Sequence, residues 1–113
     1  MFPVQVSTPA KPWAYGAQFP LRMQDLKGPL SIRIRADVHG GPIGIGVLNQ
    51  KGDDFLSRTP VVASGDTTVT LDVLKPQQIG DLVIQTWDEG NPGAVRVDAI
   101  AVIKPHPPAA EHR

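Results

Sequence analysis

The sequence contains no cysteine, so it excludes disulfide bridges, thiolate-bound zinc and a cysteine nucleophile. Aromatic residues are few: two Trp, one Tyr and three Phe. Eleven basic and eleven acidic residues cancel, and this balance predicts neither nucleic acid nor an anionic membrane as a partner. No apolar run approaches the roughly 20 residues that span a bilayer. Residues 1–9 predict no signal peptide, which leaves the localisation open.

Prolines are plentiful and their positions divide the chain. Twelve prolines are present, and they are dense at both ends. Residues 1–12 and 104–113 therefore read as Pro-rich linker and tail, because such segments form semi-rigid extended spacers. The sequence predicts one folded domain over residues 13–103, with the linkers of a module from a larger protein.

Alternation of apolar and polar residues indicates the fold. In residues 30–38, Leu30, Ile32 and Ile34 share one side of an extended backbone, whereas Arg33 and Arg35 lie on the other. Similar short runs recur between Gly- and Pro-containing turns, at 14–21, 30–38, 43–49, 59–63, 67–74, 81–87 and 94–103. This pattern predicts an all-β protein, an antiparallel β-sandwich of jelly-roll type with about seven or eight strands. A change of phase at Ala99-Ile100 predicts either a bulge in the last strand or a strand that becomes buried on both sides.

The closing run resembles the final strand of galactose-binding-like jelly rolls and carbohydrate-binding modules. Those domains often end in an apolar-x-apolar-Asp-x-apolar-x-apolar pattern, matched here by Val95, Val97, Asp98, Ile100 and Val102. Residues 13–21, 32–38, 44–48 and 82–84 also look like the accessory β-sandwich domains of bacterial glycan-modifying enzymes. The resemblance implies a non-catalytic domain that binds a sugar or positions an enzyme on a glycan.

Trp87 is the strongest candidate for ligand binding. The alternation places it on one face with Gln85, and Asp88, Glu89 and Asn91 follow within four residues. A sugar needs an aromatic platform for its C–H face and amides or carboxylates for its hydroxyls, and this segment supplies both. The alternative is that Trp87 caps the core and the residues after it form a turn.

Trp13 and Tyr15 form a second candidate pair on one face of an extended segment. Gly44 and Gly46 leave a bare strip on another strand. An aromatic ring laid over glycine is a known device of β-sheets, so Trp13 over this strip would need no ligand. The same strip would equally serve as a floor where a ligand approaches the backbone.

Charged residues give two weaker hypotheses. Arg33 and Arg35 would bind a carboxylate or sulfate of an acidic glycan bidentately, although exposed arginines more often pair with acids on a neighbouring strand. Asp53 and Asp54 suggest calcium, but their spacing and nearby Lys51 favour a simple turn. The sequence thus predicts no cofactor and leaves open a structural calcium ion elsewhere.

No catalytic constellation emerges, and we expect no enzyme activity. The three histidines are scattered, no H-x-H or H-E-x-x-H pair occurs, and no G-x-S-x-G elbow is present. Two functional hypotheses remain. The first is a sugar-binding module that uses stacking and polar edge contacts. The second is a structural domain that dimerises or packs on a catalytic partner, in the same chain or another.

Overall fold

The computed structural model describes residues 2–21, 28–62 and 65–103. These residues form an all-β fold, with one short 3₁₀ turn at Pro76–Gln78. The strands are β1 Val4–Ser7, β2 Tyr15–Pro20, β3 Leu30–Gly40, β4 Ile43–Asn49, β5 Phe55–Val61, β6 Gly65–Val73, β7 Ile79–Thr86 and β8 Gly93–Ile103. No described helix is long and apolar enough to cross a membrane.

The eight strands form two antiparallel sheets that face each other. The first sheet has the order β1-β8-β3-β6 and the second has the order β2-β7-β4-β5. Neighbours in space are mostly distant in sequence, as when β3 lies between β6 and β8. The predicted all-β sandwich with seven or eight strands is therefore confirmed.

The core lies between the sheets and follows the predicted alternation. In β3, Ile32, Ile34 and Val38 are completely buried, while Arg33 and Arg35 are exposed. Strands β4, β6, β7 and β8 add alternate Ile, Val and Leu residues to the same cluster. This cluster supplies the main driving force for folding, since each aliphatic side chain contributes about 1.5–3 kcal/mol when fully buried.

Three local features differ from or extend the sequence pattern. Strand β1 lies inside the segment interpreted as linker, yet Val6 is 5 % exposed and pairs with Val95 of β8. Strand β5 starts at Phe55, four residues before the predicted run at 59–63. The predicted bulge is confirmed, because Arg35 pairs with Ala99 and the next residue pairs with Val97. Residues 104–113, the predicted tail, lie outside the described residues.

The second sheet has an unusual outer face. Gly44, Gly46, Val83 and Gln85 point away from the core, but all four are buried. Outer residues of a two-sheet sandwich normally alternate with the core as solvent-exposed positions. Other side chains must therefore cover the outer face of β4 and β7, and these side chains form the candidate site.

Candidate functional site

Two aromatic rings cover the glycine strip of β4. A β-carbon built on Gly44 would lie 2.4 Å from Cε3 of Trp87, and one built on Gly46 would lie 2.8 Å from Cδ1 of Phe55. Any larger residue would collide with these rings. Glycine is therefore required for close approach here rather than for an unusual backbone conformation. The ring directly above Gly44 belongs to Trp87, so the interpretation that Trp13 covers the strip is wrong.

Trp13 stands against Trp87 and projects into solvent. Their ring centroids are 4.8 Å apart at an angle of 60°, an edge-to-face arrangement that aromatic pairs favour. Trp13 has 43 % of its surface exposed. Its second partner is Arg58, whose guanidinium carbon lies 5.1 Å from the Trp13 ring centroid.

The backbone of Trp13 is strained. The N–H of Ala14 donates to the carbonyl of Lys11, which closes a turn with Pro12 in the second position and Trp13 in the third. Trp13 has φ of +63°, a left-handed conformation usually left to glycine or asparagine in this turn type. This conformation costs a bulky L-residue about 1–2 kcal/mol. Strain of this kind concentrates at functional sites.

Hydrogen bonds fix the strained turn to the end of β7. The carbonyl of Ala14 accepts a bond from the N–H of Thr86 at 2.9 Å, and the Thr86 hydroxyl donates to the carbonyl of Pro9. Pro12 packs directly against Gly90, since a β-carbon at residue 90 would lie 2.8 Å from the proline ring. The position of Trp13 is thus set by contacts on several sides.

Arg58 joins the aromatic rings into one surface. Its guanidinium carbon lies 4.5 Å from the Phe55 ring centroid and 5.4 Å from that of Trp87, in addition to the contact with Trp13. Cation–π contacts of this length contribute about 0.5–1 kcal/mol at exposed sites. We call Trp13, Phe55, Arg58 and Trp87 the aromatic patch.

Gln85 lies beneath the aromatic patch. It is 1 % exposed, and its Nε2 donates to the carbonyl of Trp13 at 3.3 Å. Its Oε1 accepts no hydrogen bond from the described residues. The reverse amide orientation would set two acceptors against each other, so the assignment of N and O is determined by the contact. A buried acceptor without a donor costs about 1–3 kcal/mol.

The structure brings several of the sequence-predicted residues together. Tyr15 pairs with Gln85 across β2 and β7, which places it on the same face, and it is 42 % exposed. Asp88 and Glu89 are exposed in a turn that begins at Trp87, closed by a bond from the Gly90 N–H to the Trp87 carbonyl at 3.1 Å. Asn91 is exposed just beyond this turn. Trp87 belongs to the outer surface rather than the core cluster.

Arg33 and Arg35 are not part of this group. They lie on β3, in the first sheet, and their side chains point to the opposite side of the sandwich from Trp87. Arg35 borders a shallow depression of about 360 Å³ together with Arg96 and Asp98. An acidic glycan bound by these two arginines would therefore lie on a different surface from the two tryptophans.

The first sheet instead carries an ion-pair network around Arg96. The Nε of Arg96 donates to Asp98 at 2.8 Å, and Asp37 and Asp66 lie within 3.8 Å of its guanidinium. The hydrogen bond from Arg96 lowers the pKa of Asp98, and the same bond raises the pKa of Arg96. Asp37 also contacts His39 at 3.0 Å. This network pairs Arg96 with three carboxylates on the outer face of the first sheet.

A surface depression of about 720 Å³ lies by the β4–β5 turn rather than at the aromatic patch. Several of its polar side chains already form hydrogen bonds within the turn. Asn49 donates to the carboxylate of Asp53 at 2.7 Å, and Asp54 accepts from the N–H of Phe55 at 2.9 Å. These bonds favour the turn interpretation of the two aspartates over the calcium interpretation. Within the described ranges, no three His, Asp or Glu residues are grouped to hold a metal ion.

Phe55 and Arg58 are the site residues that sequence reasoning missed. Both precede the predicted strand at 59–63, so the sequence pattern did not show that they lie on the same face of the sheet as Gly46. The register pairs Arg58 with Gly46, and a bulge beside it displaces Phe55. One signal in the sequence could have found Arg58. When the alternation is extended backwards from the predicted strand, Ser57, Thr59 and Val61 share the core face. Arg58 and Pro60 then fall on the outer face.

Comparison with known proteins supports the fold. No protein-family model and no curated protein matches the chain. Among solved structures, one described as "CBM4 structure and function" aligns with a TM-score of 0.57 and 14 % identity, over 88 % of this chain and 82 % of that one. At this identity the likeness establishes a shared fold. The predicted resemblance to the jelly-roll fold of carbohydrate-binding modules is therefore confirmed at the level of architecture.

A second solved structure is the N-terminal part of xylanase 10B from Clostridium thermocellum, comprising CBM22-1 and GH10 modules with bound xylohexaose. It aligns with 93 % of this chain at 10 % identity, but the match covers 25 % of that chain and the TM-score is 0.43. This similarity is too low to support an argument about the present protein.

Proposed function

We propose that the protein is a non-catalytic carbohydrate-binding module and that the aromatic patch binds the sugar. The patch offers the two requirements of sugar recognition, namely aromatic surface for the C–H face and polar groups at its edge. Tyr15 extends the aromatic surface, and Asp88, Glu89 and Asn91 are the candidate polar contacts. Gln85 supports the site from beneath through its bond to the carbonyl of Trp13. The shared fold with a carbohydrate-binding module supports the proposal.

The observation that carries this proposal is the placement of Trp13. A bulky residue occupies a strained, left-handed position and remains 43 % exposed, although glycine there would relieve the strain. Burial alone does not account for this choice, because nearly half of the ring surface stays in water. Contact with a ligand does account for it, since large exposed aromatics contribute most to binding when a partner covers them.

A glycan array on the protein, followed by titration calorimetry with the best ligand, tests the proposal. We expect weak binding, with a Kd of about 0.1–1 mM for a single shallow site. Trp13→Ala should weaken it by about tenfold or more. Phe2→Ala is the matched control, because Phe2 is 39 % exposed but lies against Phe19, outside the patch. Equal affinity in wild type and Trp13→Ala would remove the patch from the binding site.

A second candidate function is assembly with another protein, and a separate observation favours it. Val62 and Leu74 are 77 % and 76 % exposed, on the side of the sandwich where β5 and β6 are the edge strands. Large exposed apolar residues beside unpaired strand edges are typical of association surfaces. The mass measured by light scattering distinguishes the two. A stable dimer that Val62→Ser and Leu74→Ser dissociate would support assembly.

A further inference from the structure

The position of Arg58 carries information about the ligand. It projects from β5 at the position opposite Gly46 and reaches three aromatic rings at 4.5–5.4 Å. Three rings around one guanidinium restrict its orientation more than any single contact would. Since Arg58 is exposed, its N–H groups remain accessible at the centre of the patch.

The charge of Arg58 is not neutralised within the part of the chain that the structure describes. The ion pairs of the first sheet involve Arg96, and Arg58 forms no ion pair or hydrogen bond with a described residue. Aromatic rings lower the cost of partial desolvation of a guanidinium without satisfying its N–H donors. Five donors in a fixed fork match the two oxygens of a carboxylate or sulfate.

A neutral sugar would use this surface poorly. It can stack on the exposed surface of Trp13, but its hydroxyl groups form only neutral hydrogen bonds with Arg58 and leave the guanidinium charge without a counter-ion. An anionic sugar would keep Arg58 in place, stack beside it and form charge-assisted hydrogen bonds with it. Asp88 and Glu89 oppose an anion electrostatically, but they lie in the turn after Trp87 and neither forms an ion pair with Arg58. The acids are therefore suited to the hydroxyl groups of the same ligand.

We infer that the aromatic patch selects a sugar bearing a carboxylate or sulfate, with Arg58 as the residue that determines this specificity. The inference rests on the proposed sugar-binding function and adds the charge of the ligand. Either oxyanion has the same recognition chemistry, so uronic acids and sulfated sugars are separate arms of the test.

The experiment compares charged oligosaccharides with neutral counterparts. The probes are oligogalacturonate and its neutral methyl ester, a sulfated galactan oligosaccharide and its neutral desulfated form, and xylohexaose. We expect at least one charged probe to bind about tenfold or more tightly than its matched partner, with affinity that falls as salt is added. The first pair reports on a carboxylate and the second on a sulfate.

Three variants assign the effect to Arg58. Arg58→Gln should reduce binding of the charged probe by about tenfold or more, and Arg58→Lys should fall between it and wild type, since lysine retains the charge without the fork. Lys75→Gln is the control, an exposed cation outside the aromatic patch. It should bind like wild type, and circular dichroism checks the fold of each variant.

The outcomes separate the two proposals. If neutral and charged probes bind equally, or Arg58→Gln binds the charged probe like wild type, the inference about charge is wrong and sugar binding stands. If the folded wild-type protein binds no saccharide, charged or neutral, the proposed function itself is overturned.

Discussion

The indole ring of Trp87 rests on the α-carbon of Gly44, so closely that a β-carbon at residue 44 would lie 2.4 Å from the ring. This contact couples a strand at the centre of the second sheet to the surface that we propose as the binding site. It explains why β4 is buried on both faces although only one faces the core.

Gly44→Ala should displace the Trp87 ring. The new methyl group would overlap two ring carbons, at 2.4 and 2.5 Å, so we expect a loss of stability of about 1–3 kcal/mol. Urea unfolding measures this loss. Because the collision requires the ring, the same substitution in a Trp87→Ala background should cost much less. Additive effects in this double-mutant cycle would contradict the contact.

Trp13→Gly should be more stable than Trp13→Ala. Both variants lose the ring and its contacts with Trp87 and Arg58, but glycine tolerates φ of +63° without the steric cost that a β-carbon adds. We expect a difference of about 1 kcal/mol in the free energy of unfolding. If alanine proves equal or better, the turn at residues 11–14 does not hold residue 13 in the left-handed conformation.

Gln85→Leu should separate stability from binding. Leucine fills nearly the same volume and removes the unpaired Oε1, so the loss of the bond to Trp13 is offset and stability should change by less than about 1 kcal/mol. The proposed sugar affinity should fall, because the bond from Nε2 to the carbonyl of Trp13 no longer holds the exposed ring in place. A variant that is stable and binds like wild type would exclude Gln85 from recognition. Thermal unfolding and calorimetry on one sample decide this.

Val6→Ala should destabilise the sandwich, since Val6 is 5 % exposed in β1 and belongs to the core cluster. Removal of two methyl-sized groups costs about 2 kcal/mol. Gln5→Ala, next to it on the exposed face of β1, is the control and should be nearly neutral. Equal behaviour of the two variants would mean that residues 4–7 act as linker, as their proline-rich surroundings suggested.

Acid should weaken the network around Arg96. The pKa of Asp98 is lower in the folded protein because the Arg96 side chain donates a hydrogen bond to its carboxylate. Its stabilising effect is therefore complete above the pKa of the unfolded chain, near 3.8, and disappears as pH falls through the lower folded value. Arg96 stays protonated throughout this range because its pKa is raised.

The measurement for this prediction is the urea midpoint at neutral pH and at several values below pH 4. Wild type should lose more stability over that interval than Asp98→Asn, in which the titrating group is absent. Added salt should reduce the difference, since the network is partly exposed to solvent. Identical acid profiles in the two proteins would mean that the Arg96–Asp98 contact does not stabilise the folded state.

Much of the fold follows from local patterns that the sequence displays. The alternation in residues 30–38 and 67–74 reappears as β3 and β6, with the apolar members in the core. The bulge near Asp98 was visible as a change of phase. These features are local, because a strand with one buried face needs period two whatever its partners are. The proline-rich start led to the prediction of a linker, but a segment as short as Val4–Ser7 is long enough to form an edge strand.

The sequence by itself determined the β class, the core face of most strands and the candidacy of Trp87, Gln85, Trp13 and Tyr15. Only the tertiary structure decided which of these meet. Trp13 and Trp87 are 74 positions apart in the chain, and they touch because β2 and β7 are neighbours in one sheet. Arg58 enters the patch because β5 borders β4, while Arg33 and Arg35 are excluded because β3 belongs to the other sheet. Strand order depends on the packing of the whole core, and no local pattern encodes it.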